Sequence, residues 1–230
     1  MSKAAVKGVI KRSCMRDRIR EQLVARILDG SYPPGTRLKE LVLAEEFGVS
    51  QAPIREALRE LEATGLLTTE RYCGTRVCAA DLNALKEAYE LRAVLEMRAV
   101  ELALPLHPEM SKRFEADIGR MRGFAGSNAR DDYVGAALQL HRRLIEACAN
   151  RVFLRTWDAF HWDVRARITM RHIDHALHLD ETLQRHVVLV EHLTAGRVAE
   201  SVQSVRATFD ALISMLESEL AAPQPASRLS

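Results

Sequence analysis

Arg92, His141 and His186 each interrupt an apolar stripe at helical spacing. The first stripe runs Leu85, Ala88, Arg92, Leu95, Ala99 and Leu102, with Glu96 four residues after the arginine. The second runs Val134, Ala137, Leu138, His141, Leu144, Ile145 and Cys148, and the third Leu179, Leu183, His186, Val187, Val190 and Leu193. A buried arginine is costly unless an anion faces it, so Arg92 is either bonded to Glu96 or open to an anionic ligand. Histidines inside a helical bundle serve a metal or a polar ligand, or stand as satisfied core residues. If the three converge, they make a pocket. A second set, Gln51, Arg55 and Arg59, repeats every four residues and so shares one helical face. Arginine bonds a guanine edge bidentately or pairs with phosphate, and glutamine reads adenine. Ser50, through its hydroxyl and the helix N-terminus behind it, suits a backbone phosphate. The same face also suits plain solvation, with Arg55 and Arg59 paired to Glu56, Glu60 or Glu62 for roughly 0.2–0.5 kcal/mol each.

The elements that must position these groups follow from spacing and punctuation. Ile19, Leu23, Ile27 and Leu28 mark a helix over Met15–Asp29, closed by Gly30 and followed by a turn over Ser31–Thr36. Leu38, Leu41, Ala44 and Phe47 mark a short second helix that Gly48 breaks. Ser50 is a good N-cap and Pro53 falls in the first turn of a third helix, which runs to about Thr64 with Ile54, Ala57, Leu58 and Leu61 inward. After Gly65 come two strand-like pieces, Leu66–Thr69 and Thr75–Cys78, around a turn containing Gly74. Helix, helix, tight turn, helix and hairpin is the order of a winged helix-turn-helix. Beyond a short linker, six helices are predicted, at about 82–104, 108–125, 130–149, 151–171, 176–195 and 197–221. The expected fold is therefore mainly α. A winged domain at 13–78 follows a mobile basic tail at 1–12. An all-α bundle at 82–221 precedes a disordered tail at 222–230.

Composition agrees. Of 230 residues, 47% are hydrophobic and 5% aromatic, which supplies a real core and excludes global disorder. No apolar run approaches a membrane span, and the basic start lacks the apolar core of a secretory signal. Cys14, Cys73, Cys78 and Cys148 show no CxxC spacing, so a reduced cytoplasmic location is expected. The net charge of +2 conceals an asymmetry: residues 1–80 hold 14 basic and 10 acidic side chains, the remainder 19 and 21. A basic segment on a slightly acidic body is the electrostatic footprint of a polyphosphate or an anionic membrane, or simply a solvated tail.

Residues Pro34-Gly35, Leu38, Leu43-Ala44, Gly48-Val49-Ser50, Pro53, Arg55-Glu56-Ala57-Leu58, Leu61 and Gly65-Leu66 resemble the DNA-binding domain of GntR-type bacterial transcription regulators. The resemblance implies DNA contacts by Arg55 and by the wing tip at Cys73-Gly74, with Arg37, Arg59, Arg71 and Arg76 as further candidates. Gln51 stands where the family usually has arginine at a base-reading position, so a different operator sequence is expected. YELRAVLEMRAVELAL, LQLHRRLIEACANRVF and RHVVLVEHLTAGRVAES resemble the helical ligand-sensing FCD domain of the FadR branch, and six helices would place it with the VanR-like subgroup.

That resemblance implies a small-molecule effector and, in many members, a metal held by an Asp, a His four residues later and two more His about 22 apart. Here the pattern reads Ala137, His141, His186 and Thr208. Two of four ligands are missing, so no metal cofactor is expected, unless another histidine (His172, His175, His178 or His192) compensates. The effector is then expected on side chains directly. Arg92 takes a carboxylate, His141 and His186 supply hydrogen bonds, and Trp162 and Arg165 supply a wall and a donor. The expected whole is a homodimeric regulator, a repressor of an inverted-repeat operator in double-stranded DNA, released by a small organic acid. Its rivals are a helical metal-dependent enzyme and an interaction module with an incidental basic N-terminus. Against the enzyme, the chain has no HExxH, no paired Glu-x-x-His, no GxSxG and no Walker loop.

Overall fold

The computed structural model describes residues 10–70 and 74–222, and the chain falls into two compact units divided between Asp81 and Leu82. Expectations for residues 1–9, for Arg71 and Cys73 and for residues 223–230 lie outside the described residues.

In the first unit α1 (Ile10–Leu28), α2 (Glu40–Phe47) and α3 (Gln51–Ala63) precede a small antiparallel sheet. Its strands are β1 (Arg37–Leu38), β2 (Leu67–Glu70) and β3 (Gly74–Val77), in the order β1-β3-β2. α1 begins ahead of the expected Met15, and β1 is an addition; two residues are too few to show a period in sequence. The core is built from one face of each element: Ile19, Leu23 and Val24 of α1, Leu43 and Ala44 of α2, and Ile54, Ala57, Leu58 and Leu61 of α3, all buried. Leu38, Leu67 and Val77 close it from the sheet. The α2–α3 turn depends on Gly48, whose φ of 64° lets its N–H cap the α2 carbonyls of Ala44 and Glu45.

The second unit is α4 (Leu82–Ala103), α5 (Pro108–Gly126), α6 (Arg130–Ala147), α7 (Arg151–Ala159), α8 (Trp162–Ile173), a 3-10 turn (Asp174–Ala176), α9 (Leu179–Thr194) and α10 (Val198–Ala221). α4 packs along α10, and α5 packs against α6 and α9. Among the described residues this makes seven α-helices, not six. The expected helix over 151–171 is broken at Phe160–His161, where His161 takes a left-handed φ of 48°. No glycine or proline announces the break. It folds Trp162 back onto Phe160, with rings stacked at 5.3 Å, and against Trp157 at 5.7 Å. Burial of both tryptophans outweighs continuity of the helix. The VanR-like expectation rested on a count of six and loses that basis. A smaller correction concerns α4: Leu102 is 43% exposed, while Leu85, Ala88, Arg92 and Ala99 are buried as the stripe requires.

Candidate effector cavity and nucleic-acid face

Arg92, His141 and His186 do converge. Arg92 and Glu96 occupy successive turns of α4, and Arg92 Nε donates to Glu96 Oε1 at 2.7 Å. The other carboxylate oxygen, Oε2, meets His141 Nδ1 of α6 at 2.5 Å. His141 Nε2 faces His186 Nε2 of α9 at 3.2 Å, and His186 Nδ1 reaches the Thr182 carbonyl at 2.7 Å. All four side chains are buried. The protons can be placed by hydrogen-bond logic. The Thr182 carbonyl only accepts, so His186 Nδ1 carries a proton. Two N–H groups cannot face each other at 3.2 Å, so one Nε2 accepts. Burial and the neighbouring His141 push the His186 pKa down to about 3, which makes neutral His186 the acceptor and His141 Nε2 the donor. Burial alone would raise the Glu96 pKa, but His141 and Arg92 outweigh it and hold it below the usual carboxylate range. His141 thus bridges the Glu96 carboxylate and the His186 ring.

The Arg92 guanidinium is boxed by aromatic rings: its Cζ lies 4.5 Å from the Trp157 centroid, 4.9 Å from Trp162 and 5.1 Å from Phe209. Beside the polar chain lies a cavity of about 100 Å³, lined by Arg92, His141 and His186 and by residues of α6, α8, α9 and α10. Most of its lining is apolar, including Val134, Leu138, Met170, Leu212 and Met215. Two lining groups were missed in the sequence. Tyr133 is buried with a hydroxyl that has no hydrogen-bond partner among the described residues. It precedes His141 by eight residues on α6, with Ala137 midway, a face-sharing interval that could have revealed it. Arg185 lines the cavity beside His186, and Glu181 Oε2 is 4.0 Å away, a weak pairing. Two expected members stand apart from the lining. Trp162 packs on Arg92 instead, and its buried Nε1 has no hydrogen-bond partner among the described residues. Arg165 gives its Nε to the Phe160 carbonyl at 2.9 Å, and burial lowers its pKa.

The donor set does not fit the metal that the resemblance implies. Ala137 and Thr208 both line the cavity, but they offer a methyl group and a hydroxyl whose proton goes to the Ser204 carbonyl. His141 and His186 supply two nitrogens, and Glu96 lies on the far ring nitrogen of His141. Three or four N/O ligands are the norm for a stable site. Among the described residues no group of three or more His, Cys, Asp or Glu could hold a metal ion.

In the first unit Ser50, Gln51, Arg55 and Arg59 are all exposed at the start of and along α3. Ser50 is the N-cap, yet its side chain makes no capping bond, so the hydroxyl is available to a ligand. Arg55 does not pair within its helix. Its Nε and Nη2 bond Glu40 of α2, the latter at 2.7 Å. Glu60 pairs instead with Arg16 of α1, and Glu62 accepts from the Thr69 amide. The intrahelical pairs of the solvated reading are therefore not formed. In the sheet, Arg37 lies opposite Arg76. Like charges directly opposite are unfavourable without an anion nearby. Gly74 has a φ of 80°, and the Arg37 guanidinium crosses it so closely that an added Cβ would lie 3.2 Å from Nε.

The family model "Bacterial regulatory proteins, gntR family" matches residues 15–77, and that of the FCD domain matches residues 87–211. The chain is 31% identical over 187 residues to a probable D-xylose utilization operon transcriptional repressor of Paenarthrobacter nicotinovorans, covering 81% of this chain and 82% of that one. It is 26% identical to the gluconate operon transcriptional repressor of Bacillus subtilis (strain 168), covering 84% and 81%. Among solved structures it superimposes on E. coli McbR/YncC with a TM-score of 0.71 at 18% identity, covering 90% of this chain and 98% of that one. A GntR regulator from Rhodococcus sp. RHA1 gives 0.69 at 20%, covering 90% and 99%; at these identities both support the fold alone. The enzyme and interaction-module readings are set aside. With its recognition-helix motif, its helical second unit and these matches, the chain belongs to the gntR family of bacterial regulatory proteins, as a transcription regulator with an N-terminal winged helix-turn-helix and a C-terminal FCD domain.

Proposed function

We propose that the protein is a cytoplasmic, homodimeric repressor that binds an inverted-repeat operator and is released from it by a small organic acid. Two relatives are named as operon repressors, which supports the sign of regulation. Residues 13–78 form the DNA-binding domain, and Arg37, Ser50, Gln51, Arg55, Arg59 and the Gly74 wing tip make its contacts. Residues 82–221 form the effector domain, in which Arg92, His141 and His186 meet the ligand, joined by Tyr133 and Arg185. No helix among the described residues is long and apolar enough to cross a membrane, in keeping with a DNA-bound life.

The observation that carries this reading is the polar chain on the wall of a mostly apolar cavity, in the same protein as an exposed cationic recognition helix. A second copy is expected on the outer face of α4, where Leu91, Val94 and Leu102 are 47%, 60% and 43% exposed. Two-fold symmetry of the protein then imposes two-fold symmetry on the operator. Release requires that the effector bind the DNA-free state more tightly than the DNA-bound one. The test is a gel-shift titration with duplex from the gene's own upstream region, with and without candidate acids. Affinity no better than for random duplex at moderate salt would defeat the proposal.

A further inference from the structure

The effector cavity has a pronounced imbalance of hydrogen-bonding capacity. Among the described residues Arg92 gives only Nε to a hydrogen bond; its guanidinium, packed on Trp157, Trp162 and Phe209, lines the cavity with terminal amino groups that have no hydrogen-bond acceptor. The Tyr133 hydroxyl is a buried donor without a partner among the described residues. Arg185 adds a half-buried guanidinium. Against these donors the lining offers few acceptors. Thr182 and Thr208 each give their proton to a backbone carbonyl, which leaves only their hydroxyl oxygens free to accept. The Glu96 carboxylate is already engaged by Arg92 and His141. The His186 imidazole accepts from His141 and donates to Thr182.

Unmatched donors, a guanidinium among them, in a largely apolar enclosure are relieved by one ligand chemistry, an anion rich in acceptors and poor in donors. The rest of the wall is Tyr89, whose hydroxyl is engaged with Thr169, and apolar residues such as Val134, Leu138, Met170, Leu212 and Met215, which reward an apolar body and offer no acceptors for a row of hydroxyl groups. A polyhydroxylated acid or a sugar would bury hydroxyl protons without partners, at a cost for each one.

We propose that this cavity takes a small monocarboxylate with an apolar body, bound directly by Arg92 and the Tyr133 hydroxyl, without a metal ion. The inference rests on the effector reading above and narrows it. It also departs from the metal-held ligand that the FCD resemblance implies, for the reason given by the donor set: a metal has two imidazole nitrogens to bind here, whereas a carboxylate has a guanidinium and a phenol.

The test is calorimetry and thermal shift on the full-length protein after EDTA treatment, with sodium hexanoate, sodium benzoate, sodium gluconate and D-xylose as probes. Hexanoate or benzoate should bind and raise Tm, and gluconate and xylose should bind at least tenfold more weakly or not at all. Tyr133→Phe removes only an unsatisfied hydroxyl, so the free protein should be as stable as before or more so, while carboxylate affinity falls about tenfold or more. Arg92→Lys should weaken binding by a similar factor while keeping a cation beside Glu96.

Three results would each overturn the inference. These are gluconate or xylose binding as tightly as the monocarboxylates, binding that needs added Zn²⁺ or Mn²⁺, or no binding by either monocarboxylate. The regulator reading is judged separately by gel shift. A monocarboxylate that binds without changing operator affinity sinks the proposal of acid-driven release and leaves this one standing, whereas release by a different metabolite with no monocarboxylate binding does the reverse.

Discussion

Replacing Glu96 with leucine should destabilise the helical unit by on the order of 3–5 kcal/mol. Glu96 is fully buried on α4, accepts from Arg92 Nε at 2.7 Å and meets His141 Nδ1 at 2.5 Å. Leucine fills the volume but strips the counter-ion from an arginine that is itself only 4% exposed. Breaking one side of a buried pair costs far more than the pair's net worth, because the remaining charge stays desolvated. At about 2–4 °C per kcal/mol for a unit of this size, the midpoint should fall by on the order of 10 °C. The protein carries a convenient reporter. Both of its tryptophans, Trp157 and Trp162, lie in the helical unit and flank Arg92, so tryptophan fluorescence in thermal and urea unfolding follows that unit. Glu101→Gln is the control, since its pair with Arg98 is exposed on both sides and should matter by no more than about 0.5 kcal/mol. The double replacement Arg92→Met with Glu96→Leu removes both charges and should be more stable than Glu96→Leu alone. A loss below about 1 kcal/mol in the single variant, or a double variant whose loss equals the sum of the singles, would refute the account of a paired, desolvated core.

Four further outcomes are expected. The unfolded chain protonates His186 near pH 6.5, while the folded chain holds it neutral down to about pH 3. Its contribution is thus complete above pH 6.5 and declines by about 1.4 kcal/mol per pH unit below it. Urea unfolding at pH 5 should show roughly 2 kcal/mol less stability than at pH 7; His172, also held low by burial, acts in the same direction, and a flat profile would contradict the neutral assignment. Arg55→Ala should reduce specific operator affinity by tenfold or more, as befits a bidentate contact worth about 1–3 kcal/mol, with an unchanged melting curve because its pair with Glu40 is exposed. Gly74→Ala should cost about 1 kcal/mol at its positive φ and displace the Arg37 side chain, seen as weaker operator binding in gel shifts. Operator affinity should fall steeply with salt, by about 0.9 log units per tenfold salt for each phosphate contacted; a slope near zero would rule out an electrostatic footprint on DNA.

Much of the winged unit was legible because its signals are local. Gly48 closes α2, Ser50 and Pro53 open α3, and Ile54, Ala57, Leu58 and Leu61 face inward; each reading needs only a few neighbouring residues. The Arg92–Glu96 pair was legible for the same reason, since four residues make one turn of a helix. The Glu40–Arg55 contact was not, because it joins α2 to α3 across the turn and competes with equally plausible partners within α3.

The break at His161 had no local signal either. Its cause is the packing of Trp157 and Trp162 around the Arg92 guanidinium, which belongs to another helix. Apolar period, punctuation and charge distribution indicated, by themselves, a winged part and a helical part, the helix order of the winged unit and three polar interruptions in the helical stripes, but ran α7 and α8 together as one helix. Only the tertiary structure decided that His141 and His186, 45 residues apart, meet at 3.2 Å. It alone left the Tyr133 hydroxyl without a hydrogen-bond partner among the described residues, beside a cavity that Arg92 also lines. Helical spacing dictates which side chains share a face. Whether a buried polar group finds a partner depends on what the neighbouring helices bring to it, and that unmet need is what selects the ligand.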